Sequence, residues 1–199
     1  LLPETPLPTA LSGLQNGPPA SQPASTTCRT FSACADRVRV GIALGSNLGD
    51  RAANLQAAVN AIRQFAGPPV RLSRVYETEP VDCRPDSPWF LNAVIEIGYR
   101  FSPESLLDQL QGIERMLHRE PNPTRNAPRP IDLDILYFGG MTLNRANLQI
   151  PHPRLLERAF VLRPLAEIAP DLCLPGCSET IAELAREVPE IQLSEFALW

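Results

Sequence analysis

The stretch RNAPRPIDLDILYFG (residues 125–139) decides the fold, because its second half has the pattern of a buried strand that carries two carboxylates. Side chains alternate between the two faces of a strand, which rises about 3.3 Å per residue. Asp132 and Asp134 therefore share one face, and Leu133 and Ile135 share the other. Asp is depleted in strands, and two like charges on one face repel each other. We expect a partner elsewhere in the chain or in a ligand to compensate them.

The elements around this strand follow the order β-α-β-β-α-β. Strands are predicted over residues 38–44, 70–79, 90–99 and 131–138 from runs of apolar and β-branched side chains. Helices are predicted after Asp50 and Ser102, whose side chains can cap a helix, and Pro103 suits a first helical position. The order predicts an α+β, ferredoxin-like core with an antiparallel sheet and two helices on one face. A C-terminal helical extension follows, over residues 150–169 and 178–188.

Composition divides the chain into three parts. Residues 1–36 are rich in Pro, Ser, Thr and Ala and are predicted to be disordered. Residues 37–175 are predicted to form the folded domain, and residues 176–199 a C-terminal helix and tail that pack on it. No apolar run reaches transmembrane length, and the five Cys lack paired metal-site spacing, so we expect free thiols in a reducing cytoplasm. The net charge of −4 argues against binding to nucleic acid through general basicity.

All 18 basic residues other than His are Arg, and the chain has no Lys. This excludes a Schiff-base Lys, a catalytic Lys and the Lys of a P-loop. Any phosphate chemistry must therefore use Arg side chains, metal ions, backbone N–H groups or a helix N-terminus.

The two carboxylates form a hard-oxygen pair of the kind that Mg²⁺ prefers, and a close pair can bridge two metal ions that clamp a phosphoryl group. Taken alone, the pair would also fit the exposed face of an edge strand. Arg119, Arg125 and Arg129 precede it, however, and Arg side chains bind phosphate and stabilise the charge that develops in its transfer. The combination favours metal-assisted nucleotide chemistry.

Two further segments carry polar groups suited to a ligand. Asn92 can read the amide edge of a heterocycle, and the adjacent Phe90 can stack on its face, although core packing would explain Phe90 equally well. His152 lies between two Pro residues, with Arg158 close behind. It fits either a structural role or the binding of a nucleotide.

Five segments together resemble the 6-hydroxymethyl-7,8-dihydropterin pyrophosphokinase family. They are GSNLG (45–49), YETEP (76–80), FLNA (90–93), PRPIDLDIL (128–136) and IPHPR (150–154). The resemblance covers about residues 38–172. It implies transfer of diphosphate from ATP to the hydroxymethyl oxygen of the pterin, with release of AMP, in folate biosynthesis. The implied partners are these two small molecules, with no nucleic acid and no membrane, and the implied state is a cytoplasmic monomer.

The resemblance also implies roles for individual residues. Asp132 and Asp134 would hold two Mg²⁺ ions, and Arg119 and Arg129 would act catalytically on the triphosphate. The implied pterin-binding residues are Thr78, Val81, Phe90, Asn92 and Phe160. The implied ATP-binding residues are Gln111, Glu114, Arg129, Ile135, His152 and Arg158.

The chain departs from the family pattern at four positions. Asn126 stands where an aromatic residue is common and Ala127 replaces the usual Gly, while Pro121 and Asn147 stand where some members carry Arg. Two alternatives remain open at this point. One is an RNA-binding module with the same element order, which would present aromatics and a basic surface. The other is a different metal-dependent nucleotidyl transferase or cyclase, which would need the two Asp but not Asn92 or Phe90.

Overall fold

An antiparallel sheet organises the chain in the computed structural model, which describes residues 37–81, 86–119, 127–188 and 193–199. These residues all belong to the unit Ala35–Trp199. The strands are β1 (Val38–Ser46), β2 (Gly67–Leu72), β3 (Val75–Thr78), β4 (Phe90–Tyr99), β5 (Asp132–Phe138), β6 (Leu143–Arg145), β7 (Leu148–Ile150) and β8 (Leu193–Phe196). The helices are α1 (Arg51–Arg63), α2 (Pro103–Met116), α3 (Ala159–Ile168) and α4 (Ile181–Glu187), with a short 3₁₀ turn at Leu155–Glu157.

The main sheet has the strand order β5-β1-β4-β3-β8, and β2 pairs with the far end of β4 beside β3. Every pairing in this sheet is antiparallel. β6 and β7 form a separate hairpin. The predicted α+β class with an antiparallel sheet is therefore confirmed.

The starts of α1 and α2 lie where the capping residues predict them. The Asp50 carboxylate accepts a hydrogen bond from the Ala53 N–H at 3.0 Å. The Ser102 hydroxyl accepts one from the Ser105 N–H at 3.2 Å, and Pro103 occupies the first helical position. Both helices bury an apolar stripe against one face of the sheet. The stripe is formed by Leu55, Ala58, Val59 and Ile62 of α1 and by Leu106, Leu110 and Ile113 of α2.

The opposite face of the sheet is covered only in part. Buried residues of α3 and α4, among them Leu162 and Ile181, pack there against Val94, Leu136 and Tyr137. Because side chains alternate along a strand, the polar residues of β4 and β5 point to this same face, beside the helices. The uncovered part of the face is where the candidate site lies.

Three element predictions need correction. The single strand predicted over 70–79 is two strands, β2 and β3, which pair with different parts of β4. The helical stretch predicted from Ile150 begins later, because Ile150 pairs with Leu143 in the β6-β7 hairpin and α3 starts only at Ala159. The helix predicted over 178–188 is the shorter α4, which Thr180 caps. The prediction of disorder for 1–36 lies outside the described residues.

The C-terminal segment adds a strand that the sequence did not predict. β8 pairs with β3 at the edge of the main sheet, and the Trp199 indole N–H donates a hydrogen bond to the Ser73 carbonyl oxygen at 2.9 Å. Among the helices of the described residues, none is long and apolar enough to cross a membrane.

Candidate active site

A row of three aligned residues forms the floor of the site. Gly45 of β1 pairs with Asn92 of β4 on one side and with Asp132 of β5 on the other. Two residues away along β1, Ala43 pairs with Asp134. The register therefore brings the amide and the two carboxylates, distant in sequence, onto one face of three adjacent strands.

This face is the floor of a cleft, which we call the central cleft. It is lined by Ala43, Leu44, Gly45, Thr78, Glu79, Val81, Phe90, Asn92, Ala93, Arg129, Asp132, Asp134, Arg154, Arg158, Phe160 and Val161. All five predicted pterin-binding residues lie in this lining, together with both Asp. The structure thus brings them together with two of the predicted phosphate-binding Arg residues.

The Asp132 carboxylate is bound by two guanidinium groups. Arg119 Nη1 lies 2.6 Å from Asp132 Oδ1, and Arg129 Nη1 lies 3.4 Å from Asp132 Oδ2. Arg119 also forms an ion pair with Glu114, whose carboxylate accepts a hydrogen bond from the Leu133 N–H at 2.8 Å. Burial raises the pKa of Glu114. Glu114 therefore ties α2 to β5 and helps to hold Arg119 against the cleft.

The end of α2 explains how Arg119 reaches the strand. His118 adopts a left-handed backbone with φ of 62°, the conformation that commonly terminates a helix. The reversal lets the Arg119 N–H bond to the Glu114 carbonyl oxygen at 2.9 Å. The Arg119 side chain is then directed back toward Asp132.

Asp134 has weaker charge compensation than Asp132. Its nearest basic groups are Arg158, with Nη1 3.8 Å from Oδ2, and the His152 ring, with Nε2 4.0 Å from the same oxygen. Loss of hydration in the cleft and repulsion from Asp132 raise the pKa of Asp134 to about 6. Burial and the nearby Arg158 lower the pKa of His152 to about 4, so the imidazole is neutral at pH 7. Asp134 is thus the carboxylate that gains most from an added cation.

The pair fits the needs of a divalent cation. Within the described residues, no group of three or more His, Cys, Asp or Glu forms a ligand cluster. The site therefore offers two carboxylates, which suits Mg²⁺ because that ion keeps several waters and takes further oxygens from substrate phosphates. The buried Nε atoms of Arg129 and Arg158 have no acceptor among the described residues. Both groups keep a donor available for an anion.

The other end of the cleft has a different character. The Asn92 amide donates a hydrogen bond to the Thr78 hydroxyl at 2.8 Å, and both residues are buried. This bond fixes the amide plane at the floor of the cleft. Phe90 and Phe160 line the same space, and the Arg158 guanidinium lies 5.6 Å from the centre of the Phe160 ring. A flat polar ring would find aromatic faces and a fixed amide here.

A second cleft adjoins the central cleft at Asp134, and we call it the side cleft. Its lining includes Ile135, Asn147 and His152, so two of the predicted ATP-binding residues lie here beside one of the family departures. Gln111, by contrast, is exposed on α2 and is not part of the described lining of either cleft. Asn126 and Pro121 lie outside the described residues.

Sequence reasoning assigned no role to two residues that the structure places at the site. Arg154 lines the central cleft, and its proximity to His152 was visible in the sequence. Asn47 is buried behind the cleft, bonded to the backbone of Arg129. The GSNLG segment signalled a turn, but only the fold shows what its Asn contacts.

Residues 41–170 match the family described as 7,8-dihydro-6-hydroxymethylpterin-pyrophosphokinase (HPPK). A Pseudomonas aeruginosa protein named 2-amino-4-hydroxy-6-hydroxymethyldihydropteridine pyrophosphokinase is 43% identical over 156 residues, covering 77% of this chain and 89% of that protein. The Bacillus subtilis protein of the same name is 46% identical over 128 residues, covering 64% of this chain and 75% of that protein.

Longer relatives also match. An Arabidopsis thaliana protein named folate synthesis bifunctional protein is 44% identical over 129 residues, and the match covers 65% of this chain and 26% of that protein. The chain thus spans about a quarter of the length of this bifunctional relative. Wild-type Plasmodium falciparum HPPK-DHPS aligns with a TM-score of 0.61 at 16% identity, over 76% of this chain and 44% of that chain. This last likeness concerns the fold alone.

The family match spans residues 41–170 and so includes both Asp, Asn92 and the central cleft, and the Pseudomonas relative is matched over 89% of its length. The chain belongs to the 7,8-dihydro-6-hydroxymethylpterin-pyrophosphokinase family.

Proposed function

We propose that the chain transfers diphosphate from ATP to the 6-hydroxymethyl oxygen of 6-hydroxymethyl-7,8-dihydropterin, with release of AMP, in folate biosynthesis. The observation that carries this proposal is the alignment of Asn92, Gly45 and Asp132 across three strands. This alignment supports the proposal because an amide that could read a heterocycle and a carboxylate that could hold a metal line the same cleft. Family membership supplies the reaction that joins the two halves.

At the pterin end, the fixed Asn92 amide would pair with the amide edge of the ring, with Thr78 holding its orientation. Phe90 and Phe160 would stack on the ring, and Val81 would close the lining beside it. Asn92 and Thr78 are buried at the floor of the cleft, Phe90 and Phe160 are half-buried, and Val81 is exposed.

At the phosphate end, Arg119 and Arg129 converge on Asp132, and Arg158 lies near Asp134. Arg side chains bind phosphate oxygens in a bidentate manner and stabilise the charge that spreads over them during transfer. The catalytic contribution of Arg119 and Arg129 is therefore positioning and charge stabilisation. Glu114, Ile135, His152 and Arg158 would contact the nucleotide. Gln111 is also proposed as a nucleotide contact. Its side chain is exposed on α2 and would reach the nucleotide from outside the two clefts.

Asp132 and Asp134 would together hold two Mg²⁺ ions. When bound, these ions would neutralise the triphosphate charge and favour ionisation of the attacking hydroxyl. The buried Nε donors of Arg129 and Arg158, which have no acceptor among the described residues, would be available to an anionic ligand beside the metal site.

We also propose a ferredoxin-like arrangement for the core, on the strength of the order β5-β1-β4-β3 with α1 and α2 on one face. Residues 37–175 would form the catalytic domain and 176–199 a helix and tail packed on it. The protein would work as a cytoplasmic monomer on its two small-molecule substrates, without nucleic acid or membrane.

The reaction is tested by incubating the protein with ATP, the pterin and Mg²⁺, and identifying the nucleotide product by chromatography. We expect AMP in one-to-one yield with the pterin diphosphate, and no turnover when EDTA replaces Mg²⁺. A matched variant, Asn92→Leu, should raise the KM for the pterin while the affinity for ATP stays within about twofold, because it removes only the amide edge. ADP as the product, or turnover that persists in EDTA, would contradict the proposal.

A further inference from the structure

The row of aligned residues under the central cleft continues onto a fourth strand. Tyr76 of β3 pairs with Asn92 of β4, which in turn pairs with Gly45 of β1. Tyr76 is 8% exposed and is not part of the described lining of the cleft. It therefore stands behind the site, at the end of the row that is farthest from Asp132.

The Tyr76 side chain connects β3 to the end of α3. Its hydroxyl donates a hydrogen bond to the Glu167 carboxylate, in the last turn of the helix. Burial and the nearby Glu167 raise the pKa of Tyr76 to about 12, so the hydroxyl keeps its proton and stays a donor at pH 7. Glu167 also accepts hydrogen bonds from the Arg74 N–H at 2.9 Å and from Arg74 Nε at 3.2 Å. Two residues at the start of β3 thus hold one carboxylate of α3.

A second contact holds the same end of α3. Arg71 Nη1 of β2 donates a hydrogen bond to the Ile168 carbonyl oxygen at 3.2 Å. A cation is favourable there, because the last carbonyl groups of a helix lack intrahelical donors and carry partial negative charge. The apolar packing of Leu162 and Leu165 on the sheet is non-directional, whereas hydrogen bonds are directional. The polar contacts therefore determine where the helix sits along the sheet.

The opposite end of α3 carries an aromatic wall of the central cleft. Phe160 lies in the first turn of the helix and lines the cleft. Seven residues separate Phe160 from Glu167, close to two helical turns, so both side chains leave α3 on nearly the same face, about 10 Å apart along its axis. In a continuous helix, a shift at Glu167 therefore also displaces the Phe160 ring.

The strand β3 also holds the amide on the cleft floor. Thr78 lies two residues after Tyr76, so both side chains point to the same face of the sheet. The Thr78 hydroxyl accepts the hydrogen bond from the Asn92 amide at 2.8 Å. One strand thus contacts the amide directly and the Phe160 ring indirectly, through Glu167. The spacing between the amide and the ring depends on both contacts.

We propose that Tyr76 is a positioning residue for the pterin, which acts through Glu167 to place the Phe160 ring against the heterocycle that Asn92 reads. The proposal rests on the proposed function, because it takes the pterin as the ligand of the central cleft. Its signature is a loss confined to pterin affinity, since Tyr76 contacts neither the carboxylates nor the Arg residues of the phosphate end. The loss must also depend on the presence of an aromatic ring at position 160.

Tyr76→Phe tests the role, because it removes only the hydroxyl. We expect the Kd of the pterin, titrated with a nonhydrolysable Mg²⁺–ATP analogue present, to rise about fivefold, as when most of one aromatic stacking contact is lost. In steady-state kinetics, the KM for the pterin should rise by a similar factor, while kcat and the KM for ATP stay within about twofold of wild type. The matched control is Tyr99→Phe, which removes a buried hydroxyl that contacts Ser105 Oγ of α2 at 3.3 Å. It should leave the Kd of the pterin unchanged.

Two double variants identify the path of the effect. In a Phe160→Leu background, adding Tyr76→Phe should change the Kd of the pterin by less than about twofold, because no ring remains to be displaced. In a Phe90→Leu background, the same addition should keep its effect of about fivefold, because Phe90 belongs to β4 and not to α3.

Three results would overturn the role of Tyr76 while leaving the proposed function intact. They are an unchanged pterin Kd in Tyr76→Phe, an equal loss in Tyr99→Phe, and an undiminished effect of Tyr76→Phe in the Phe160→Leu background. A KM for ATP that rises as much as the KM for the pterin would show a general loss of structure and would overturn it as well. Failure of the wild-type protein to bind the pterin would instead contradict the proposed function, and this proposal with it.

Discussion

Asn92 and Asp132 lie on opposite sides of a single residue, Gly45, each in register with it on a neighbouring strand. The amide that would read the pterin and the carboxylate that would hold metal thus lie on the two strands that flank β1. The β1 residue between them, Gly45, has no side chain. A Cβ atom at Gly45 would lie 3.2 Å from Asn92 Oδ1, 3.7 Å from the Phe90 ring and 3.9 Å from Asp132 Cβ. The absence of a side chain therefore leaves the cleft floor open and the amide undisturbed.

We predict that Gly45→Ala weakens pterin binding by about tenfold, because a methyl group in a well-packed site costs about 1–3 kcal/mol. The Asn92 amide must shift to relieve the contact, so the loss should be in pterin affinity and KM. Titration with the pterin measures it.

Gly112→Ala is the matched control for this substitution. Its Cβ would meet its nearest atom, on the Arg115 guanidinium, at 3.9 Å in the middle of α2, so it should leave pterin affinity unchanged. Its helix position should also raise stability slightly, by up to about 1 kcal/mol. Unaltered pterin binding in Gly45→Ala would show that the space above Gly45 is not occupied by the ring.

Asp134→Ala should lower kcat by about 10³-fold or more, as expected for loss of an electrostatic stabiliser at the reacting phosphate. The fold should survive, because the carboxylate has only long contacts, at 3.8 and 4.0 Å, to Arg158 and His152. Steady-state kinetics with saturating ATP and Mg²⁺ give the value. Asp108→Ala, an exposed Asp on α2, serves as the control and should be neutral. A fall of less than tenfold in Asp134→Ala would remove this residue from the metal site.

The raised pKa of Asp134 gives the metal-free protein a defined pH response. Its pKa of about 6 lies above the ordinary Asp pKa of 3.8, so between these pH values the folded state holds a proton that the unfolded state has released. The contribution of Asp134 to the free energy of unfolding is therefore greatest at low pH and falls as the pH rises through about 6. Asp134→Asn should then melt higher than wild type at pH 7 in EDTA, and the difference should vanish near pH 4.

With Mg²⁺ and an ATP analogue, the order of melting temperatures should reverse, so that the wild type melts higher than Asp134→Asn. Because the ion binds the ionised carboxylate, the stabilisation that it gives to the wild type with an ATP analogue should grow as the pH rises through about 6. His152 does not contribute to this step, since its lowered pKa of about 4 keeps the ring neutral there. Thermal melts between pH 4 and 8 with EDTA or with Mg²⁺ and the analogue measure both trends. A melting difference in EDTA that is independent of pH would show that Asp134 titrates normally.

The sequence predicted the elements whose information is local. The alternation of Asp132 and Asp134 with Leu133 identified both the strand and its polar face, and the caps at Asp50 and Ser102 located two helix starts. β8 could not be predicted in the same way. Four residues are too few to show a clear alternation, and the strand forms because β3, more than a hundred positions earlier, offers an edge for pairing.

The site followed the same rule. Motif residues could be predicted from the sequence to share one site. The contacts of Asn47 with its two backbone partners, at Arg129 and Pro88, could not, because they depend on which turns meet in space. Glu96 is a related case. One Glu in the ten-residue strand FLNAVIEIGY was a visible signal, but its partners, Arg39, Arg71 and Tyr137, come from three other strands.

Glu96 is completely buried on the cleft face of β4, and its carboxylate is bound by Arg39 Nη2 at 2.6 Å, by Arg71 Nη1 at 3.3 Å and by the Tyr137 hydroxyl. We predict that Glu96→Ala destabilises the protein by about 3 kcal/mol, because removal of one member of a buried charged network leaves the others unpaired. Both Arg side chains are about half exposed and can hydrate, which places the loss at the low end of the usual range. Urea unfolding measures it. Glu104→Ala, which removes an exposed ion pair with Arg145, should be far less destabilising, because exposed ion pairs contribute little to stability. If the two variants were equally stable, the four-group network would contribute nothing to folding.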